Sequence, residues 1–299
     1  MRKRVLILGG KGMLGHKLAQ TLGDECETFA SIREQVVDNW LHKVLPHVEI
    51  IPAISAENFE DISQLTKTIK PDVVVNCIGI VKQLVEADDY VKSITINALL
   101  PHHLSRICLE NKSRLITIST DCVFSGKKGN YNENDEPDPI DLYGRTKLLG
   151  EVQHEGCLTI RTSMIGHQLS GQHGLVEWFL NQPDASVKGY KNAIFSGLTT
   201  NALAHVIKLV IFHHPNLEGL KQIASEPISK FDLLSTVKKI YDLKVNIEPD
   251  ISFIVNRSLN GQNFAHETQI DIPNWTAMIS QMYSDHSTSL IQHPSQHAC

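Results

Sequence analysis

The chain has 299 residues, of which 41% are hydrophobic and 20% are charged, and its formal net charge is −5. This length suffices for one large or two modest domains, and the apolar fraction is typical of a globular chain with a sizeable core. The slightly acidic balance argues against a nucleic-acid partner or an anionic membrane surface. No apolar run is long enough to cross a bilayer, and the first one, residues 5–8, is too short for a signal-peptide core.

Six cysteines occur without C-x-x-C spacing, and most lie in apolar segments. Such cysteines are typical of buried, reduced thiols, so the sequence predicts a cytoplasmic protein. The fifteen histidines show no spacing typical of metal ligands, and no metal site is predicted.

The predicted elements begin with a strand, a glycine-rich turn and a helix. Gly9, Gly12 and Gly15 follow the apolar run 5–8, and apolar residues then recur at helical spacing. In this setting the first glycine permits a sharp turn, the second leaves room for a pyrophosphate, and the third lets the helix pack against the strand. The N-terminus of the helix offers free backbone N–H groups to phosphate. The stretch therefore predicts dinucleotide binding.

A second strand, residues 27–33, ends where a dinucleotide-binding fold places its ribose-binding residue. Ser31 and Arg33 stand there, and Lys11 in the glycine turn adds positive charge to the same region. A hydroxyl and a guanidinium suit the 2′-phosphate of NADPH better than the diol of NADH. Because Glu34 follows, the use of NADH stays open.

Strands and helices continue to alternate as far as a sixth strand. Strands are predicted at 48–52, 72–79, 114–119 and 158–163, and helices at 57–69, 88–111 and 143–154. Pro101 is expected to interrupt the long helix 88–111. The alternation predicts an α/β fold of Rossmann type, in which a doubly wound parallel sheet carries the ligand along one edge.

Beyond Gly166 the pattern becomes shorter and less regular. Helices are predicted at 175–180, 201–212 and 228–241, with a turn-rich segment at 189–200. We therefore expect a dinucleotide-binding domain at 1–166 and a mainly substrate-binding region at 167–283, and leave open whether segments of the latter return to the first domain. The polar stretch 284–299 is predicted to be disordered.

The sequence Tyr143-x-x-x-Lys147 places a phenol and an ammonium on one helix face, one turn apart. Thr120 ends the preceding predicted strand, so the three groups converge if that strand end faces the helix. We expect the ammonium to lower the pKa of the phenol by favouring phenolate. The phenol would then exchange a proton with a substrate oxygen near neutral pH.

Taken together, these motifs resemble those of the extended short-chain dehydrogenase/reductases and, more narrowly, of the dTDP-4-dehydrorhamnose reductase family. The resemblance is dense in the first half of the chain and looser in the second. The matching segments are the glycine turn, residues 70–76, 119–126, 131–133, 143–151 and 161–163, and Gly197-x-Thr199-Thr200.

The resemblance implies that Thr120, Tyr143 and Lys147 are catalytic, and that Asp121 and Phe124 approach the sugar. It also implies reduction of the 4-keto group of a nucleotide-linked 6-deoxyhexose with NADPH, or with NADH, for surface polysaccharide biosynthesis. Homodimers are expected by analogy. The residues expected to contact the cofactor are Gly9, Gly12, Met13, Leu14, Gly15, Arg33, Asn58, Cys77, Ile78, Gly79, Tyr143 and Lys147.

The chain departs from the family pattern in two places. Cys122 stands where the family usually has tyrosine, and residues 77–79 replace the more usual run of alanines. The identity of the sugar is therefore open. Some members are associated with magnesium, but Glu133, Asp135 and Glu136 are interpreted as a solvated acidic loop.

Two other functions stay open on the same fold. One is a nucleotide-sugar epimerase or dehydratase, although a 4,6-dehydratase carries a glutamate directly after the aspartate, where this chain has Cys122. An epimerase would retain bound NAD. The other is a non-catalytic regulatory subunit, because the regulatory subunit of methionine adenosyltransferase resembles the same family.

Overall fold

The structure, a computed structural model, describes residues 2–82, 85–171, 174–182 and 186–288. The strands are β1 (Arg4–Leu8), β2 (Glu27–Ser31), β3 (Val48–Ile51), β4 (Val73–Asn76), β5 (Arg114–Thr120), β6 (Cys157–Thr162), β7 (Met164–Ile165), β8 (Ser186–Tyr190), β9 (Ala193–Phe195), β10 (Leu198–Thr199), β11 (Gly219–Gln222), β12 (Ile228–Ser229), β13 (Asn246–Asp250) and β14 (Val255–Asn256).

The helices are α1 (Met13–Leu22), α2 (Asn39–Val44), α3 (Phe59–Ile69), α4 (Tyr90–Ser93), α5 (Leu100–Asn111), α6 (Leu142–Leu149), α7 (Leu175–Leu180), α8 (Thr200–His213), α9 (Lys230–Ile240), α10 (Gln262–Thr268) and α11 (Trp275–Thr288). A π-helical turn, Ile94–Leu99, joins α4 to α5. A 3₁₀ turn, Asp121–Val123, follows β5.

Seven parallel strands form the central sheet in the order β11-β6-β5-β4-β1-β2-β3. Alternate residues of β1 belong to different hydrophobic clusters, with Val5 and Ile7 on one face and Leu6 and Leu8 on the other. Helices therefore cover both faces, which is why the strands are almost uniformly apolar. The predicted doubly wound Rossmann-type sheet is confirmed.

The long helix predicted at 88–111 is divided into α4, the π-helical turn and α5. Pro101 lies in the first turn of α5. It has no N–H to donate to the carbonyl of Asn97 four residues earlier, so the regular helix cannot continue through it. The freed carbonyl lies against Gly150, where an added Cβ would be 2.0 Å from Asn97 O.

The second half contains more regular structure than its sequence indicates. The segment predicted to be rich in turns, 189–200, includes the end of β8 and all of β9 and β10. These strands are only two to five residues long, too short for a clear alternation of apolar and polar positions. The helix predicted at 228–241 begins instead at Lys230, because Ser229 caps α9 by accepting a hydrogen bond from the backbone N–H of Asp232 at 3.0 Å.

The C-terminal prediction requires a correction. Residues 284–288, predicted to begin a disordered tail, form the last turns of α11. This helix is held by the fully buried side chains of Met278, Ile279 and Met282, which precede the polar stretch. Residues 289–299 lie outside the described part of the chain.

Two elements from the second half pack with the first. Strand β11 extends the central sheet beside β6, and α8 packs against α1. We therefore propose that residues 200–222 belong with the dinucleotide-binding domain 1–166 and that the rest of 167–283 forms the substrate region. In the described residues, no helix has the length and apolar character needed to cross a membrane.

Gly15 is the tightest contact between α1 and the glycine turn, and substituting it tests the local packing. A Cβ at this position would lie 2.1 Å from the carbonyl oxygen of Gly9, a backbone atom that cannot move alone. We expect Gly15→Ala to lower the free energy of unfolding by about 1–3 kcal/mol, measured by urea denaturation. Gly174→Ala is the matched control, because its Cβ would meet only the movable end of Gln168 at 3.1 Å. Equal stability of the two variants would contradict this packing.

Candidate active site

The glycine turn lies where the strand order reverses, between β1 and β4, at the carboxyl ends of the strands. Gly9 has a φ of +86°, which favours glycine, and its carbonyl accepts a hydrogen bond from Gly12 N at 2.9 Å. Gly12 is exposed at the N-terminus of α1, whereas the side chain of Leu14 is buried. The turn therefore presents its backbone at the N-terminus of α1, where a pyrophosphate fits.

The end of β4 lies opposite the glycine turn. A Cβ at Gly9 would be 3.0 Å from Ile78 Cγ1, and one at Gly12 would be 3.9 Å from Cys77 O. The following residue, Gly79, is exposed, and its added Cβ would lie 3.9 Å from Lys147 Nζ. Residues 77–79 thus connect the glycine turn with the predicted catalytic lysine.

The polar residues at the end of β2 differ in their contacts and in their exposure. Ser31 is buried, and its Oγ accepts a hydrogen bond from Gly9 N at 3.3 Å, so this hydroxyl supports the turn instead of facing a ligand. The ammonium of Lys11 pairs with Glu34 at 2.7 Å, which offsets the positive charge expected there. Partial burial opposes ionisation of Glu34, but the hydrogen bond from Lys11 leaves the pKa of this carboxyl lowered overall. Arg33 is exposed beside them.

Asn58 has a structural role in this position. It caps α3 by accepting a hydrogen bond from Asp61 N at 3.3 Å, and its amide donates to the Asp61 carboxylate at 2.6 Å. A contact between Asn58 and adenosine stays a prediction.

The three predicted catalytic residues come together next to the end of β5. Thr120 Oγ1 accepts a hydrogen bond from Cys122 N at 3.1 Å and donates one to Asp121 at 3.2 Å. Tyr143, in the first turn of α6, is half-buried. It lies close enough to Thr120 for the threonine hydroxyl to lower the pKa of the Tyr143 phenol. The helix approaches the 3₁₀ turn closely, because an added Cβ at Gly144 would be only 2.2 Å from Cys122 O.

Lys147 lies one turn further along α6, with its ammonium under the same strand end. The side chain is buried, and Nζ donates a hydrogen bond to Ile118 O at 2.6 Å. Burial lowers the pKa of Lys147 to about 8, and the nearby carboxylate of Glu151 acts in the opposite direction.

The expected effect of Lys147 on Tyr143 is corrected by the structure. Burial raises the pKa of the Tyr143 phenol well above its ordinary value, and Cys122 and Asp121 raise it further, while Thr120 acts against them. Loss of hydration disfavours phenolate more than the surrounding groups favour it. The phenol therefore remains protonated at neutral pH in the free protein.

A buried ion pair anchors the region behind α6. Glu151, just beyond the helix, accepts two hydrogen bonds from Arg161 of β6, both at 2.7 Å, and a third from Ser119 Oγ at 2.7 Å. The two side chains are only 3% and 4% exposed, so this bidentate pair is removed from water. It ties α6 to the neighbouring strands β5 and β6.

The two residues predicted to approach the sugar differ in position. Asp121 is buried, and its pKa is raised by burial while Arg257 and Lys230 lower it. Phe124 is fully buried, stacked on Tyr131 at a centroid distance of 4.1 Å. Because this ring is enclosed by protein, its predicted contact with the sugar is corrected to a packing role beneath the loop.

The acidic loop uses its carboxylates within the protein. Glu133 accepts hydrogen bonds from Gln222 N at 3.0 Å and from the Asn263 amide at 2.8 Å, and Asp135 pairs with Lys128. Among the described residues, no group of three or more histidine, cysteine or acidic side chains is arranged to hold a metal ion.

Three basic residues near the end of β5, Lys82, Lys230 and Arg257, were not identified from the sequence. Lys230 and Arg257 act electrostatically on Asp121, and Lys82 acts on Cys122. They follow β4, begin α9 and follow β14, so no local spacing connects them.

Comparison with known proteins relates this site to a family. The family model described as RmlD substrate binding domain matches residues 2–183, more than half of the chain. A dTDP-4-dehydrorhamnose reductase of Mycolicibacterium smegmatis is 29% identical over 153 residues, which cover 50% of this chain and 41% of that protein. The methionine adenosyltransferase 2 subunit beta of Xenopus tropicalis is 27% identical over 168 residues, covering 54% and 47%. The chain thus spans about half the length of these curated relatives.

The fold matches over a longer range. The crystal structure of dTDP-4-dehydrorhamnose reductase from Bacillus anthracis in complex with NADP superposes with a TM-score of 0.79 at 19% identity. The superposition covers 95% of this chain and 100% of that one, so the second half shares the fold as well.

Because the Glu151–Arg161 pair is buried, we expect a large loss of stability when the carboxylate of Glu151 is replaced by a neutral group. We expect Glu151→Gln to lower the free energy of unfolding by about 3–5 kcal/mol, because the Arg161 charge stays buried without its counter-ion. Glu267→Gln is the control, since its pair with Lys221 at 2.5 Å is partly exposed, and it should cost less than about 1 kcal/mol. Urea denaturation at neutral pH measures both, and losses of similar size would contradict a special role for the buried pair.

The lowered pKa of Lys147 allows a prediction of how the stability of the chain varies with pH. Its pKa is about 8 in the folded chain and higher when unfolded, so the unfolded chain binds more protons between these values. The contribution of Lys147 to stability therefore rises with pH in this window, by about 2 kcal/mol between about pH 7.5 and 9.5. The comparison is with Lys147→Met, which lacks this titration and retains the other groups. Parallel stability curves for the two proteins would show that Lys147 titrates normally.

Proposed function

The chain belongs to the RmlD substrate binding domain family, and from this premise we propose that it is an NAD(P)H-dependent reductase of a nucleotide-linked sugar. Its substrate is the 4-keto group of a nucleotide-activated 6-deoxyhexose, in the biosynthesis of a surface polysaccharide. The observation that carries the proposal is that Thr120, Tyr143 and Lys147 meet at the end of β5. Residues 77–79 connect this place with the glycine turn, of which Gly12 is exposed.

NADPH, when bound, supplies a hydride to C4 of the sugar. The chain binds and orients the two reactants. Gly12 and the N-terminus of α1 hold the pyrophosphate, and residues 77–79 line the adenosine side. Lys147 Nζ donates one of its three N–H groups to Ile118 O, and the other two are available to hydroxyls of the nicotinamide ribose.

The proton comes from Tyr143. The raised pKa of this phenol keeps it protonated until negative charge develops on the C4 oxygen. The O–H bond of tyrosine breaks, the new hydroxyl forms on C4, and the phenolate that remains is stabilised by the ammonium of Lys147. Thr120 donates to the same substrate oxygen by turning its hydroxyl away from Asp121.

For the cofactor we propose NADPH, with NADH as the alternative. Arg33 is the supporting residue, because its guanidinium is exposed at the end of β2 where a 2′-phosphate would lie. Glu34 weakens this preference through its pair with Lys11.

We further propose a homodimer in the cytoplasm. The residues from Tyr90 to Leu99 present an apolar face, with Tyr90 67% and Val91 75% exposed, which suits a second copy. The buried free thiols of Cys26, Cys108 and Cys157 are consistent with a reducing compartment. Light scattering of the purified chain tests the dimer.

The second candidate is a regulatory subunit without activity, which the similarity to the methionine adenosyltransferase subunit favours. In that case no keto-sugar nucleotide would cause NADPH oxidation, and the chain would co-purify with a synthetase. An epimerase would instead retain NAD through purification.

Tyr143→Phe separates proton transfer from cofactor binding. We expect kcat on a nucleotide-linked 4-keto sugar to fall about 10²–10⁴-fold, because the ring remains and the proton donor is lost. NADPH affinity should change by less than about threefold, because no phosphate contact is altered. Loss of absorbance at 340 nm measures turnover, and quenching of tryptophan fluorescence measures binding. Tyr90→Phe, an exposed tyrosine of α4 outside the residues assigned to catalysis and binding, is the control with normal turnover. Full activity of Tyr143→Phe would remove this residue from the mechanism.

A further inference from the structure

The helix that follows the glycine turn begins without a side-chain cap. In α3, α6, α8 and α9, the residue before the helix accepts a hydrogen bond from a backbone N–H of the first turn. The corresponding residue of α1 is Gly12, which has no side chain to do so. Its own N–H is bonded to Gly9 O at 2.9 Å. The N–H groups of Met13 and Leu14 are therefore the ones left for a pyrophosphate.

The direction of the Met13 N–H depends on the carbonyl of Gly12. The two groups belong to one planar, trans peptide, in which C=O and N–H point in opposite directions. The Gly12 oxygen accepts two hydrogen bonds from one residue, His16, whose backbone N lies at 3.1 Å and whose Nδ1 lies at 2.9 Å. Both bonds hold the carbonyl along the helix, so the Met13 N–H points out of its N-terminal end.

The imidazole of His16 is fully buried, and its partner determines which nitrogen carries the proton. A carbonyl oxygen can only accept, so the neutral ring is protonated on Nδ1. In the described part of the chain, the other nitrogen, Nε2, is buried without a hydrogen-bond partner. A leucine would fill this space without burying a polar nitrogen, so packing alone does not account for a histidine here.

The surroundings of His16 keep its ring neutral. Burial lowers its pKa to about 4, and Lys17 and His167 act in the same direction, whereas the bond to Gly12 and the carboxylate of Asp285 oppose them. Lys17 and Asp285 form an ion pair with each other. The ring therefore brings no charge to a bound pyrophosphate at neutral pH, and its influence on the turn is one of orientation.

We propose that His16 is a positioning residue for the cofactor. By donating from Nδ1 to Gly12 O, it directs the N–H of Met13 at the pyrophosphate. Without this bond the peptide could rotate more freely, because a glycine precedes it. The role rests on the proposed function for the identity of the ligand, and it belongs to a residue outside the three glycines of the motif.

Two substitutions separate the hydrogen bond from the packing of the ring. His16→Leu fills a similar volume but has no donor, whereas His16→Asn leaves a cavity but places an amide N–H close to the position of Nδ1. We expect NADPH to bind His16→Leu about three- to tenfold more weakly than the unaltered chain, and His16→Asn within about twofold of it. Isothermal titration calorimetry measures each Kd. His205→Leu, at an exposed histidine of α8, is the matched control and should bind normally.

A second readout requires neither cofactor nor activity. In the cofactor-free chain at neutral pH, ¹⁵N NMR of the histidine rings should show the His16 proton on Nδ1. The His16 signals are identified by their absence from His16→Asn. A proton on Nε2 would overturn the proposal, because Nδ1 would then have none to donate to Gly12.

Separate outcomes distinguish this role from the proposed function. An unchanged Kd in His16→Leu, or binding by His16→Asn as weak as that by His16→Leu, would overturn the positioning role and leave the reductase in place. No binding of NADPH or NADH to the unaltered chain would overturn both. The expected order of affinities without NADPH oxidation on any nucleotide 4-keto sugar would keep the role of His16 and reject the reductase.

Discussion

The hydrogen bond from Lys147 Nζ to Ile118 O, at 2.6 Å, is the interaction on which the candidate site depends. It brings a buried ammonium under the end of β5 and so fixes the position of α6 relative to the sheet. The close contacts of Gly144 with Cys122 O and of Gly150 with Asn97 O require the same helix position. Behind the helix, the Glu151–Arg161 pair holds its far end. Tyr143 is held near Thr120 because these contacts leave α6 a single position.

Burial has opposite consequences for the two titrating residues of this helix. It disfavours the charged form of each, so the pKa of Lys147 falls while that of Tyr143 rises. For a reductase this combination is useful, because the acid must keep its proton until the substrate oxygen becomes negative. Glu151 opposes the fall for Lys147 and so helps to keep the ammonium charged. The buried ion pair thus acts on the charge of Lys147 as well as on the packing of α6.

Much of the first half of the fold could be predicted, since its elements are long and the residues of each motif are close in sequence. The glycine turn and Tyr143-x-x-x-Lys147 are of this kind. The direction of the Tyr143 pKa shift could not be predicted, because the spacing of residues shows which side chains are neighbours but not how far each is removed from water. Phe124 was assigned to the sugar from its motif, yet its enclosure by Tyr131 depends on a loop that only the fold closes. Lys230 and Arg257 lie far along the chain, and their approach to Asp121 depends on the packing of the second half.

The central claim is that Tyr143 delivers a proton to the C4 oxygen of a nucleotide-linked sugar. The most direct measurement is a crystal structure of the chain with NADP⁺ and a nucleotide-linked 6-deoxyhexose. We predict a distance of about 2.6–3.2 Å between Tyr143 Oη and the C4 oxygen, with Thr120 Oγ1 in reach of the same atom. A sugar bound elsewhere, or a C4 oxygen in contact with neither hydroxyl, would contradict the account.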